Sequence, residues 1–128
     1  LDTDGSLLLN LGILATLANQ KTRNLIVTVW DNECYECIGG PPTHTAGVVD
    51  LAAMAKGAGI RHSETVRTPE ELRAAFQKAL ASQELYFIVV KIEAGTKEDI
   101  PSKRTREAED TYLFVRHLEQ LEGRSILT

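Results

Sequence analysis

The spacing of apolar and polar positions changes several times along the chain, and each change predicts an element. After an apolar stub at residues 1–3, Leu8, Leu11, Leu14, Leu17 and Ala18 recur at helical spacing behind Gly5 and Ser6. The run Asn24-Leu25-Ile26-Val27-Thr28-Val29-Trp30 is short, β-branched and apolar on both faces, as expected of a strand covered by helices in a parallel sheet. Residues 50–59 predict a short Ala-rich helix ended by Gly57 and Gly59, and residues 60–66 a weak strand or extended connection. Thr68-Pro69-Glu70-Glu71 is a helix start, with Thr68 as cap, Pro69 in the first turn and Glu71 at the capping-box position. Leu72, Ala75, Phe76, Ala79 and Leu80 then form one apolar face, and residues 86–92 a continuous apolar strand. Strands and helices thus alternate, with crossovers long enough for parallel pairing. The expected fold is α/β, a three-layer parallel-sheet domain over residues 1–93. Residues 94–128 follow as a linker, with Gly95 and Pro101 among charges, and a C-terminal helix over 107–121 presenting Tyr112, Val115, Leu118 and Leu121 on one side.

Composition narrows the classes. At 128 residues with 43% hydrophobic content, the chain can bury a core that hides about two thirds of its unfolded surface. The net charge of −4, with no Lys/Arg cluster before residue 97, argues against nucleic acid as a partner. Lys103-Arg104-Thr105-Arg106 is followed by Glu107, Glu109 and Asp110, which reads as a solvated face. No run approaches the ~20 apolar residues of a membrane span, and residues 7–17 are too short and lack a basic flank for a signal sequence. No membrane association and a cytoplasmic location are expected. The chain begins without a methionine or a complete first strand. That predicts an N-terminally incomplete fold whose sheet is finished by a longer polypeptide.

Candidate chemistry gathers where predicted strands end. Asp4-Gly5-Ser6 lies at a strand-to-helix turn, and Asp31-Asn32 at the carboxyl end of the second strand. Ligands of open α/β sheets bind outside those ends, and helix N-termini beside them offer N–H groups to phosphate oxygens. Asp4 and Asn32 can hold a hard cation between protein and phosphate, and magnesium commonly uses only one or two side chains together with phosphates and waters. Cys34 and Cys37 form a C-x-x-C, but a zinc site needs a second ligand pair, and a thioredoxin-like motif would open a helix rather than lie in a Gly-rich loop. His44 can donate a charge-assisted hydrogen bond to an anion or simply bond backbone. Tyr35 and Glu36 either line a cleft or brace the loop, and Glu33 takes no role.

Thr3-Asp4-Gly5-Ser6 with Asp31-Asn32 resembles the Gly-Asp-Gly…Asn-Asn signature of thiamine diphosphate enzymes. Together with the helix and strand between them, the loop to Thr45 and the helix after Asp50, the stretch is similar to the C-terminal domain of phosphonopyruvate and sulfopyruvate decarboxylases. Gly39-Gly40 followed by Pro42-Thr43-His44-Thr45 points to that branch. The resemblance implies a thiamine diphosphate-binding fold. Asp4, the Asn32 side chain and the Cys34 carbonyl would be Mg2+ ligands, Gly5 and Ser6 would contact the diphosphate, Tyr35 would line the cofactor site, and His44 is the candidate substrate contact. Thr3 stands where the signature has its first glycine and Asp31 where it has its first asparagine. Both ligand positions are kept, while close backbone approach at Thr3 becomes a question for the structure.

What the resemblance implies is a carboxy-lyase acting on a 2-oxo acid. The glutamate that activates the cofactor would come from a pyrimidine-binding domain or subunit, so the catalytic residues in this chain are unknown and a dimer or tetramer is expected. The alternatives are an acetolactate-synthase-like carboligase domain, or a non-catalytic partner or regulatory module with the same fold.

Overall fold

Four parallel strands, β1 (Asp2–Thr3), β2 (Ile26–Asp31), β3 (His62–Val66) and β4 (Tyr86–Lys91), form one sheet in the order β1-β2-β4-β3. The structure is a computed structural model and describes residues 1–20, 22–95 and 107–126. Side chains alternate across the sheet. Val29, Phe87 and Val89 face one side and pack with Leu7 of α1 (Asp4–Leu9), Leu14 of α2 (Gly12–Gln20) and Leu51, Ala52 and Ala55 of α3 (Leu51–Gly57). Val66, Ile88 and Val90 face the other side and pack with Leu72, Ala75 and Phe76 of α4 (Pro69–Ala81). Both faces of β4 are therefore covered, which explains why its sequence is apolar without alternation. Two compact units divide the chain, Leu1–Gly95 and Thr96–Thr128. Among the described residues, no helix is long and apolar enough to cross a membrane.

Several elements differ from the expected ones for identifiable reasons. The single helix expected after Gly5 is two. The chain leaves helical geometry at Asn10 (φ −147°, ψ 71°), whose N–H caps the Leu7 carbonyl, and Gly12 restarts it. Asn and Gly are both weak helix formers, and placed two apart they outweigh the leucine periodicity. The strand expected over 24–30 begins two residues later and includes Asp31, while the one expected over 86–92 stops at Lys91. Residues 62–66 do form a strand, carried by pairing to β4 rather than by propensity. Thr68 caps α4 by accepting the Glu71 N–H (3.2 Å), but the Glu71 carboxylate reaches past it to the N–H of Arg67 (2.7 Å). Leu80 is 72% exposed and is not part of the α4 core face.

In the second unit, α5 (Glu107–Glu122) leaves Tyr112 and Leu121 exposed, with Val115 and Leu118 half-buried. Its Glu119 is buried and accepts from Arg116 Nη1, Ser125 Oγ and the Ile126 N–H, folding the chain back after Gly123. The basic cluster at 103–106 and most of the expected linker lie outside the described residues.

The loop from Asn32 to Thr45 matters most for the site. Gly39 (φ 98°) and Gly40 (φ 79°) are both left-handed, a conformation open to glycine at little cost. They reverse the chain so that Tyr35 N–H meets the Pro41 carbonyl (2.8 Å), Gly40 N–H the Tyr35 carbonyl (2.9 Å) and Thr43 N–H the Glu33 carbonyl (2.9 Å). Cys34 and Pro42 form an antiparallel bridge. Nothing lies near a Cβ built on Gly40, so a side chain there costs backbone strain alone. Gly40→Val should lower unfolding free energy by about 1–2 kcal/mol, and Gly40→Asn by clearly less, as read from urea denaturation midpoints.

Candidate functional site

Asp4 and Asp31 are the two carboxylates that the sheet buries, each about 1% exposed. Asp31 is the last residue of β2. Its register places it beside Lys91, the last residue of β4, on the same face as Val29 and Val89. Asp4 is the first residue of α1, reached directly from β1, with Thr3 as the cap: Thr3 is extended (φ −124°) and its Oγ1 accepts the Ser6 N–H (3.3 Å). The backbone at Thr3 thus has no need of glycine, and the departure from the signature is one the local fold accommodates. α1 is only six residues long, so what it offers an anion is its local N–H groups rather than a long macrodipole.

Buried carboxylates need partners, and the loop's return strand supplies them. Thr43 Oγ1 lies 2.6 Å and Thr45 Oγ1 3.3 Å from Asp4 Oδ2. The two hydroxyl oxygens are 2.8 Å apart, and Thr45 Oγ1 is 2.7 Å from Asp31 Oδ1. Asp31 also accepts the Glu33 N–H (3.1 Å) and pairs with Lys91 Nζ (2.8 Å), which meets Glu33 Oε1 at 2.6 Å as well. Glu33, left without a role above, is thereby tied to the sheet, and its left-handed backbone (φ 63°) turns the chain between Asn32 and Cys34. Desolvation works to lower the pKa of Lys91, but hydrogen bonds and charge from Asp31 and Glu33 outweigh it and hold the amine above its ordinary range.

On one side of the hydroxyl pair, Thr3, Asp4, Gly5, Ser6, Asn32, Cys34, Tyr35 and Glu36 contribute to a cleft of about 370 Å³. Both threonine contacts fall on Asp4 Oδ2 rather than Oδ1. Asn32 Oδ1 accepts the Cys34 N–H (3.3 Å), closing a turn that keeps the amide beside the Cys34 backbone. Gly5 lies under the Tyr35 ring: a Cβ built on it falls 2.5 Å from Tyr35 Cε1. Glu36 lines the cleft and also accepts the Gly95 N–H, so it braces the loop at the same time. The cleft lining contains two carboxylates and no Lys, Arg or His. On the other side, Asp31, Thr45 and Lys91 border a second cleft of about 280 Å³.

The structure thus brings together six of the residues singled out from sequence: Asp4, Gly5, Ser6, Asn32, Cys34 and Tyr35. His44 is exposed on the 3-10 turn His44–Ala46 and lines neither cleft. Sequence reasoning missed Thr43 and Thr45 as carboxylate partners, and Lys91. A signal existed for Lys91, since two apolar strands ending in opposite charges are candidates for a cross-strand pair. Cys34 is half-buried and Cys37 exposed, both as free thiols. Partial burial, and then the carboxylates of Glu36 and Asp4, push the Cys34 thiol above its usual pKa, which disfavours the thiolate that redox or zinc chemistry needs.

A family model described as the thiamine pyrophosphate enzyme C-terminal TPP-binding domain matches residues 1–90. The chain is 40% identical over 101 residues to sulfopyruvate decarboxylase subunit beta of Methanothermobacter thermautotrophicus, covering 79% of this chain and 51% of that one. It is 34% identical over 121 residues to sulfopyruvate decarboxylase of Methanosarcina acetivorans, covering 88% and 31%. Against phosphonopyruvate decarboxylase of Streptomyces viridochromogenes it is 32% identical over 108 residues, covering 84% and 27%. The chain therefore spans about half the length, or less, of these curated relatives. Among solved structures, Rhodococcus jostii RHA1 thiamine diphosphate-dependent 4-hydroxybenzoylformate decarboxylase superposes with a TM-score of 0.58 at 23% identity, over 76% of this chain and 19% of that one. That likeness bears on the fold alone.

Two outcomes follow from the side chains. Lys91→Met leaves Asp31 buried without its cation. The loss should be about 3 kcal/mol, the low end for a broken buried pair, because Thr45 and the Glu33 N–H remain. Since the folded pKa of Lys91 is raised, the difference between parent and variant should be constant below the ordinary lysine pKa of about 10.4 and shrink as pH rises through the folded value; unfolding curves from pH 7 upward check both. Iodoacetamide at pH 8 should alkylate Cys37 well before Cys34, as read by peptide mass spectrometry.

Proposed function

The chain belongs to the family of C-terminal TPP-binding domains of thiamine pyrophosphate enzymes, and on that premise we propose that it is the diphosphate-holding part of a 2-oxo acid decarboxylase whose substrate carries a second anion, of the sulfopyruvate or phosphonopyruvate type. The activities for which the relatives are named support the substrate class. Bound thiamine diphosphate supplies the nucleophilic carbon and the electron sink for loss of carbon dioxide. The chain's own residues hold and orient it.

One observation carries the reading: the cleft presents Asp4 and Glu36 with no basic side chain in its lining. A diphosphate brought there alone meets like charge, so it needs a cation between itself and the protein. The donors suit a hard ion. Asp4 Oδ1, Asn32 Oδ1 and the Cys34 carbonyl are all oxygens, as magnesium prefers. In this reading Gly5 and Ser6 meet the diphosphate and Tyr35 borders the same cleft, with Gly5 kept free of a side chain because a Cβ there would collide with the Tyr35 ring. The cofactor-activating glutamate belongs, in this reading, to a pyrimidine-binding domain or a partner subunit, which the subunit-beta names of relatives support. A dimeric or tetrameric assembly in the cytoplasm is part of the same proposal. So is the division of this chain into a diphosphate- and Mg-binding domain over 1–93 and a linker with helix over 94–128.

Calorimetric titration of the native assembly with thiamine diphosphate should show binding in Mg2+ and none in EDTA. Asp4→Ala and Asn32→Ala should each weaken it by about tenfold or more, the loss of one charge-assisted contact. Undiminished binding in EDTA, or in Asp4→Ala, would sink the metal-bridged reading. Carbon dioxide and an aldehyde released from sulfopyruvate or phosphonopyruvate, with no carboligation product from pyruvate, is the expected activity.

A further inference from the structure

We propose that Thr43 and Thr45 are positioning residues that set the orientation of the Asp4 carboxylate toward the metal, anchored through Asp31 and Lys91 to the ends of β2 and β4. The inference rests on the reading of Asp4 as a metal ligand. A carboxylate at the start of a helix can rotate about two side-chain torsions, and a metal that demands near-octahedral geometry tolerates little of that freedom. Here the rotation is stopped by contacts at one oxygen. Oδ2 meets Thr43 Oγ1 at 2.6 Å and Thr45 Oγ1 at 3.3 Å, so Oδ1 is the oxygen given to the cleft.

Proton counting assigns the roles. The two hydroxyls carry two protons, while three oxygen pairs lie within 2.8 Å, Thr43–Asp4, Thr43–Thr45 and Thr45–Asp31. Asp31 already has Lys91 Nζ and the Glu33 N–H. Asp4 has the threonines. The Thr43 proton therefore goes to Asp4 and the Thr45 proton to Asp31, so the Thr43–Thr45 pair carries no proton of its own and the two hydroxyls are held side by side by their carboxylates. The threonines also belong to the loop that begins with Asn32 and Cys34, tied back to it by the Thr43 N–H to Glu33 carbonyl bond (2.9 Å). One loop thus supplies two oxygen donors and orients the third, which couples their spacing.

The test uses Mn2+ as the probe. With saturating thiamine diphosphate, free Mn2+ is followed by electron paramagnetic resonance for the native assembly carrying Thr43→Val, Thr43→Ser, Thr45→Val or Asp4→Asn, and thermal unfolding is recorded for each. Thr43→Val should bind Mn2+ about 10- to 100-fold more weakly, the usual effect of losing a partner of a metal ligand, while Thr43→Ser returns close to the parent. Thr45→Val should lose less, and it carries the test if Thr43→Val does not fold. A folded valine variant that binds Mn2+ as the parent does, while Asp4→Asn has lost it, overturns the proposal. So does a serine variant as weak as valine, since that would trace the effect to packing. If Asp4→Asn itself keeps full Mn2+ affinity, it is the assignment of Asp4 as ligand that fails.

Discussion

Two carboxylates taken out of water at the carboxyl end of the sheet are the constraint around which this domain is arranged. Asp4 and Asp31 are each about 1% exposed, and a buried charge without partners costs several kcal/mol. The chain meets that cost with one lysine, two hydroxyls and the Glu33 N–H, and only the last is close in sequence to its carboxylate. Lys91 arrives through the register of β4 on β2. Thr43 and Thr45 arrive because the loop after β2 doubles back on itself. The parallel sheet, the Gly39-Gly40 reversal and the entry into α1 are thus tied to a single cluster of polar atoms.

That cluster separates two environments. Toward the Asp31 side, negative charge is matched by Lys91. Toward the Asp4 side it is not, and the cleft with Gly5, Asn32 and Tyr35 retains an excess of carboxylate. A protein that must hold a polyanion gains from such an imbalance only if a divalent cation is shared between the two, which makes metal and anion bind as one unit. The excess of carboxylate is a property of the residues lining the cleft, and the family to which the chain belongs binds thiamine pyrophosphate through this domain.

Much of this was legible from the residues in order. The continuous apolar runs marked β2 and β4 as strands covered on both faces, and Thr68-Pro69 marked the start of α4. Asp4, Gly5 and Asn32 stood out because they fall where strands end. Other features were not legible, for physical reasons. Asn10 and Gly12 break a helix whose leucine spacing alone predicts continuity, since capping competes locally with periodicity. β3 has little strand propensity of its own and forms because β4 offers it a partner. The roles of Thr43, Thr45 and Lys91 depend on contacts between segments far apart in the chain. A threonine in a loop carries no mark of the carboxylate it will meet.

The loop from Asn32 to Thr45 has a base and a tip with different freedoms. At the base, Asn32, Glu33, Cys34, Thr43 and Thr45 are cross-tied to one another and to the sheet. Residues 37–41 at the tip are exposed, and the backbone ladder closes beneath most of them. Substitution or a change in tip length can therefore be absorbed at the rim, while the cross-tied base keeps its geometry.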